Sequence, residues 1–185
     1  MSDDASDGRS LGRRHLLAGL AGAGLVGTGV YVASGPRLGA DGRSDRLPVE
    51  VTTVDVVGSA AGTAQVPTPG TPTVIDCFAT WCGPCVEQMD ALGTVYDRYG
   101  DRVAFISVTN ERFGGGLTRD DLRAWWRDND GRWTLGHDPE GDLLAALGAG
   151  GLPYLAVTDG DGSVVWTHGG VASTETLDRT ISSVL

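Results

Sequence analysis

The chain has 185 residues and no internal repeat, enough for one domain and a leader. Its 14 basic side chains are all arginine and face 24 acidic ones, for a net charge of −10, which argues against nucleic acid or anionic lipid as partners. Three cysteines, an odd number, exclude a pure disulfide framework. The excess carboxylates read as a solvated surface or, more sharply, as adaptation to concentrated salt. At ~1 M the Debye length is about 3 Å and their mutual repulsion is screened. A melt that stays flat or rises as salt is removed rules out the sharper reading.

In chain order, Gly12-Arg13-Arg14-His15-Leu16-Leu17 precedes an apolar, Gly/Ala-rich stretch over residues 16–33. An arginine pair before such a run is similar to a twin-arginine export signal, with Leu16 where that signal usually has an aromatic residue. The stretch is at the short end for a bilayer span, and no cysteine closes it, so a bacterial-type lipid anchor is excluded. Residues 1–35 are therefore read as a signal or membrane anchor, cleaved near Val32-Ala33-Ser34 or kept as a tether through residues 16–33. Either form places the protein outside the cytoplasm. Residues 36–48 are a linker and 49–185 the folded domain.

Within the domain, Val49-Glu50-Val51 and Val54-Asp55-Val56-Val57 suggest a short hairpin or extended segment, and Thr63 to Thr73 a Pro/Thr/Gly loop. Thr73 to Ala79 reads as a central strand, and a helical pattern follows through Val86, Met89, Leu92, Tyr96 and Tyr99 until Gly100. Val103 to Val108 is a second buried strand. Gly114-Gly115-Gly116 is a loop, not a phosphate cradle, because no Lys-Ser/Thr follows it. Thr118 to Asp121 is a capping box with Asp in place of Glu, opening a helix whose stripe is Leu122, Trp125 and Trp126. Trp133 to His137 is a third strand, and Asp138-Pro139 an N-cap and first-turn proline for a helix over Leu143, Leu144 and Leu147. Tyr154 to Thr158 and Ser163 to Thr167 flank Asp159-Gly160-Asp161-Gly162, a hairpin signal, and Ser173 caps a last helix with Leu177, Ile181 and Val184.

The chemistry concentrates at Trp81-Cys82-Gly83-Pro84-Cys85, where the strand passes into the helix. Two cysteines spaced by two residues at such a junction suit reversible dithiol chemistry. Cys82 lies at the helix start, where free N–H groups and the positive dipole end favour a thiolate, so it is the expected nucleophile. Cys85, one turn on, can attack the mixed disulfide that Cys82 forms. Pro84 fits a first turn, where its missing N–H costs nothing. Cys77 falls on the opposite strand face from Asp76 and reads as a small buried apolar residue.

This motif, with Asp76 on the strand before it and Gly150-Gly151-Leu152-Pro153-Tyr154-Leu155 after it, resembles the active site of the thioredoxin superfamily. The resemblance covers about Val49 to Leu185. It implies an α/β thioredoxin-like fold: a central mixed β-sheet with helices on both faces, in the order β–α–β–α–β–α–β–β–α. The stretch from about Asn110 to Asn129 is a central strand/loop-helix insertion, similar to the TlpA/ResA-like extracytoplasmic branch. By that resemblance Cys82 and Cys85 form a redox-active disulfide that needs no separate cofactor and no metal. Asp76 accepts the Cys85 proton, and Trp81, Gly83 and Pro84 shape the surface around the dithiol. Pro153 follows a cis bond, and the Leu152 backbone pairs with an extended substrate. The expected partners are protein thiols and disulfides, apocytochromes among them, with an upstream membrane electron donor. The resemblance departs in one respect: thioredoxins pair the buried acid with a lysine, and this chain has none.

Two other readings stand beside the oxidoreductase. Cys82 and Cys85 with His137 or His168 could make a zinc- or copper-binding module, and a bound-metal assay on fresh protein against a dithiol redox titration separates the two. A purely structural Cys82–Cys85 disulfide predicts no acceleration of insulin reduction.

Overall fold

The computed structural model describes residues 47–185. The signal and most of the linker, read at residues 1–46, lie outside the described residues. In chain order the elements are β1 (Val49–Thr53), β2 (Gly62–Val66), β3 (Thr73–Phe78), α1 (Gly83–Tyr99), β4 (Ala104–Thr109), α2 (Arg119–Asp128), β5 (Thr134–His137), α3 (Asp142–Leu147), β6 (Tyr154–Thr158), β7 (Val164–Gly169) and α4 (Thr174–Ser182). No helix among the described residues is long and apolar enough to cross a membrane.

The seven strands form one mixed sheet in the order β2-β1-β5-β4-β3-β6-β7. β3 runs parallel to β4, and β4 to β5, while β6 is antiparallel to β3 and to β7. Every residue of β3 is buried, as its run of strand formers requires of a strand covered on both faces. Alternation then divides its side chains. Val74 and Phe78 enter a core with Met89 and Leu92 of α1, Leu122 and Trp126 of α2, and Leu177 and Ile181 of α4. Ile75 and Cys77 enter the opposite core, with Leu143 and Leu147 of α3. Cys77 is thus the buried structural residue expected; burial first, then the Asp76 and Asp138 carboxylates, raises its thiol pKa. The tryptophan stripe is core too. Trp125 stacks on Phe78 at 4.6 Å, and the Trp126 N–H donates to the Val57 carbonyl at 3.2 Å.

Four expectations change. Residues 62–66 are not loop but β2, antiparallel to β1, which itself ends at Thr53 and joins β5. β2 escaped notice because it is an edge strand on which Val66 alone is fully buried, leaving no apolar alternation to read. Val54 to Val57 instead leads into a tight turn closed by mutual Val56 and Ser59 hydrogen bonds. There Gly58, at φ +81°, passes so close to the Arg132 carbonyl that a Cβ would lie 2.1 Å from it.

On α1, Val86 faces solvent and Val95 is fully buried, a small rotation of the predicted stripe. Gln88 is buried with it: its amide accepts from the Ala172 N–H (2.6 Å) and donates to the Ala172 carbonyl (3.3 Å). α3 begins at Asp142 after Gly141, not at Pro139. Asp138 still serves the helix, reaching over the intervening turn to accept from the Leu143 N–H at 2.9 Å. The capping box at Thr118–Asp121 and the Ser173 cap form as read.

Candidate active site

Parallel strands place their carboxyl ends on one edge of the sheet, and ligand chemistry collects outside that edge. β3 ends there and turns into α1; β4 ends there beside it, since Phe78 pairs with Thr109. The antiparallel β6 begins there, with Tyr154 opposite Cys77. The dithiol turn, the segment after β4 and the Leu152-Pro153 loop therefore share one edge.

Cys82 is the N-cap of α1, in an extended conformation, and its Sγ accepts from the Cys85 N–H at 3.2 Å. No acidic side chain occupies the first turn, so the positive end of the helix acts on Cys82 alone. Pro84 lies in that turn without loss of a hydrogen bond. The two cysteines are joined, with Cα atoms 5.3 Å apart. In this oxidised form both are buried, at 4% and 2% exposure, so the disulfide itself offers little surface to a partner. What is open to solvent is the frame around them: Gly83, Pro84 and above all Trp81, 75% exposed. An indole so placed beside a disulfide is available for contact with a partner chain.

Asp76 comes from the middle of β3 and points to the core face that also holds Phe78, Cys82 and Cys85. It is 2% exposed. Its Oδ2 accepts from the Ser107 hydroxyl at 2.7 Å, and Ser107 Oγ accepts from the Trp133 indole N–H at 2.9 Å. Oδ1 is buried with no partner. Burial pushes the Asp76 pKa from its ordinary 3.8 up to about 7, against the opposing effect of the Ser107 hydrogen bond. A carboxyl group of that affinity can give up and take back a proton at neutral pH.

Pro153 follows a cis bond, as expected, and is buried. Its carbonyl accepts from the Gly170 N–H at 2.8 Å, which ties the loop to the end of β7. Leu152, half-buried, packs against the cluster that holds both cysteines, and Gly150 and Gly151 before it are exposed.

Glu111 was not singled out from the sequence. Its carboxylate accepts from the Thr80 N–H (2.7 Å), the Thr80 hydroxyl (2.8 Å) and the Thr109 hydroxyl (3.1 Å). It thus grips the residue immediately before Trp81. The Glu111 carbonyl can only accept, so the His137 Nε2 at 2.7 Å carries a proton toward it. Phe113 stacks on that imidazole at 4.2 Å. An acidic residue just past the carboxyl end of a parallel strand was the signal that could have found it.

The histidines of the alternative metal reading are engaged elsewhere: His137 as just described, and His168 stacked on Trp166 at 5.5 Å. Among the described residues no group of three His, Cys, Asp or Glu side chains could hold a metal ion.

Comparison with known proteins agrees with this geometry. The sequence model of the Redoxin family matches residues 43–185. Chloroplastic thioredoxin Y of Oryza sativa subsp. japonica is 33% identical over 42 residues, 23% of this chain and 25% of that protein, so the chain spans about a quarter of the length of that curated relative. StoA from Bacillus subtilis superposes with a TM-score of 0.59 at 18% identity, over 72% of this chain and 97% of that one. A secreted Mycobacterium tuberculosis disulfide oxidoreductase homologous to E. coli DsbE gives 0.62 at 16% identity, over 75% and 98%. At these identities the structural likeness speaks for the fold.

Proposed function

The chain belongs to the Redoxin family, and from that premise we propose that it is an extracytoplasmic thiol–disulfide oxidoreductase that reduces protein disulfides through Cys82 and Cys85. The observation that carries this reading is the joined cysteine pair at the N-terminus of α1, on the core face of a desolvated Asp76.

In the reduced protein the Cys82 thiolate attacks one sulfur of a substrate disulfide. That S–S bond breaks, a Cys82–substrate bond forms, and the first substrate thiolate leaves and takes up a proton. Cys85 then passes its thiol proton to Asp76, and its thiolate attacks Cys82 Sγ and expels the second substrate sulfur as a thiolate, which takes up a proton from solvent. Two electrons have moved to the substrate, and the Cys82–Cys85 bond remains. A membrane electron donor restores the dithiol. The exposed indole of Trp81 and the Leu152 backbone beside Pro153 are the surfaces that hold the extended substrate strand.

The Gly83-Pro84 pair, like that of reducing relatives, supports the direction. The Arg13-Arg14 signal supports the compartment, and apocytochrome thiols fit the substrate class. A Cys85→Ser variant tests the reading, because it leaves Cys82 able to attack and nothing able to release. Reducible adducts of protein partners on Cys82 are expected in exported fractions. Empty traps under every growth condition refute a protein substrate.

A further inference from the structure

Asp76 has no basic partner: the chain contains no lysine, and none of the ion pairs among the described residues involves this carboxylate. What it has instead is neutral. Ser107 lies directly across from it on β4, in register, and Leu155 across from it on β6. Trp133, 3% exposed and immediately before β5, reaches over to Ser107. A serine hydroxyl has one proton and two lone pairs and ordinarily rotates to suit its neighbours. Here the indole can only donate, so it occupies a lone pair of Ser107 Oγ and leaves the hydroxyl proton to Asp76 Oδ2.

We propose that Ser107 and Trp133 are positioning residues for the proton transfer: together they commit Asp76 Oδ2 to a fixed hydrogen bond, so that the unpartnered Oδ1 is the atom that receives the Cys85 proton. This rests on Asp76 being the proton acceptor, as proposed above. In the step itself the S–H bond of Cys85 breaks and an O–H bond forms at Oδ1. No electrons change hands until the Cys85 thiolate forms the Cys82–Cys85 bond and releases the substrate sulfur. When the donor reopens that bond, the proton returns from Oδ1 to the Cys85 thiolate. The Ser107 bond also stabilises the ionised carboxylate, opposing burial, and so keeps the acceptor within reach of neutral pH.

Among the described residues the only side-chain hydrogen bond to Asp76 is that of Ser107, and its one titrating neighbour along the strand is Cys77. Cys77 points to the opposite core, and burial keeps it a thiol.

The test is the pH profile of single-turnover insulin reduction by the reduced full-length chain. Asp76→Asn identifies the inflection that belongs to Asp76, as the one that disappears. Ser107→Ala should move that inflection upward by about one pH unit, the size of one hydrogen bond to a charged group. Trp133→Phe, which frees the hydroxyl but keeps it, should move it the same way by less, and carries the test alone should Ser107→Ala fail to fold. An inflection that stays at its wild-type position in both variants while vanishing in Asp76→Asn overturns the relay and leaves Asp76 as acceptor. A profile unaltered by Asp76→Asn removes the acceptor, and the relay with it.

Discussion

Asp76→Asn should change stability with opposite signs at the two ends of the pH range. Folding raises the affinity of this carboxyl group for a proton, from 3.8 to about 7. Below pH 3.8 it is protonated in both states and folding is not penalised. Between 3.8 and about 7 the unfolded chain ionises it while the folded chain does not, and each pH unit costs the native state about 1.4 kcal/mol. Above about 7 both are ionised and the full penalty, about 4 kcal/mol, remains. The asparagine amide removes that penalty and can still accept from Ser107. It also places an unpartnered N–H where Oδ1 was, at about 1–3 kcal/mol independent of pH. The variant should therefore be more stable than wild type by about 1–3 kcal/mol at pH 8 and less stable by a similar amount below pH 4. Urea unfolding of the oxidised proteins, with the disulfide intact, measures the difference at each pH. Carboxylates elsewhere titrate alike in both proteins and cancel. A difference that is flat from pH 4 to pH 8 refutes the claim that burial holds Asp76 against ionisation.

Two further outcomes follow from contacts that sequence patterns do not show. Glu111→Gln turns one of the three donors at Thr80 and Thr109 toward an amide N–H; it should lower stability by about 1–3 kcal/mol and slow insulin reduction several-fold, and equal rates and melts would mean the grip on Thr80 is idle. Gly58→Ala drives a methyl group into the Arg132 backbone at a positive φ, and should cost about 2–4 kcal/mol in thermal or urea unfolding; a loss within 0.5 kcal/mol would show that the turn moves freely away from Arg132.

Much of this architecture was legible because it is written locally. The dithiol turn follows a strand of six buried residues and opens a helix with a proline in its first turn, and each of those signals lies within a few residues of the next. The caps at Thr118 and Ser173 and the Asp159 turn are equally local. What escaped was decided across the sheet. Ser107 is an unremarkable serine in an apolar run until register sets it opposite Asp76. Gln88 reads as the polar side of a helix until the segment before α4 brings Ala172 against it. β2 is polar because it is an edge, and an edge needs no apolar alternation. Val86 and Val95 exchanged places because a stripe of widely spaced apolar residues fits a helix at more than one rotation.

The two ties that define the surroundings of the cysteines, Asp76 to Ser107 and Thr80 to Glu111, each join residues 31 positions apart. On the mechanism proposed above, a peptide bearing Trp81 to Cys85 has the sulfurs but neither their proton acceptor nor the Glu111 clasp on Thr80. During synthesis the pair therefore lacks both of those neighbours until β4 and the segment beyond it have been laid down beside β3. What the helix start gives Cys82 is local and early; what Ser107 and Glu111 bring to its surroundings arrives with the sheet, late.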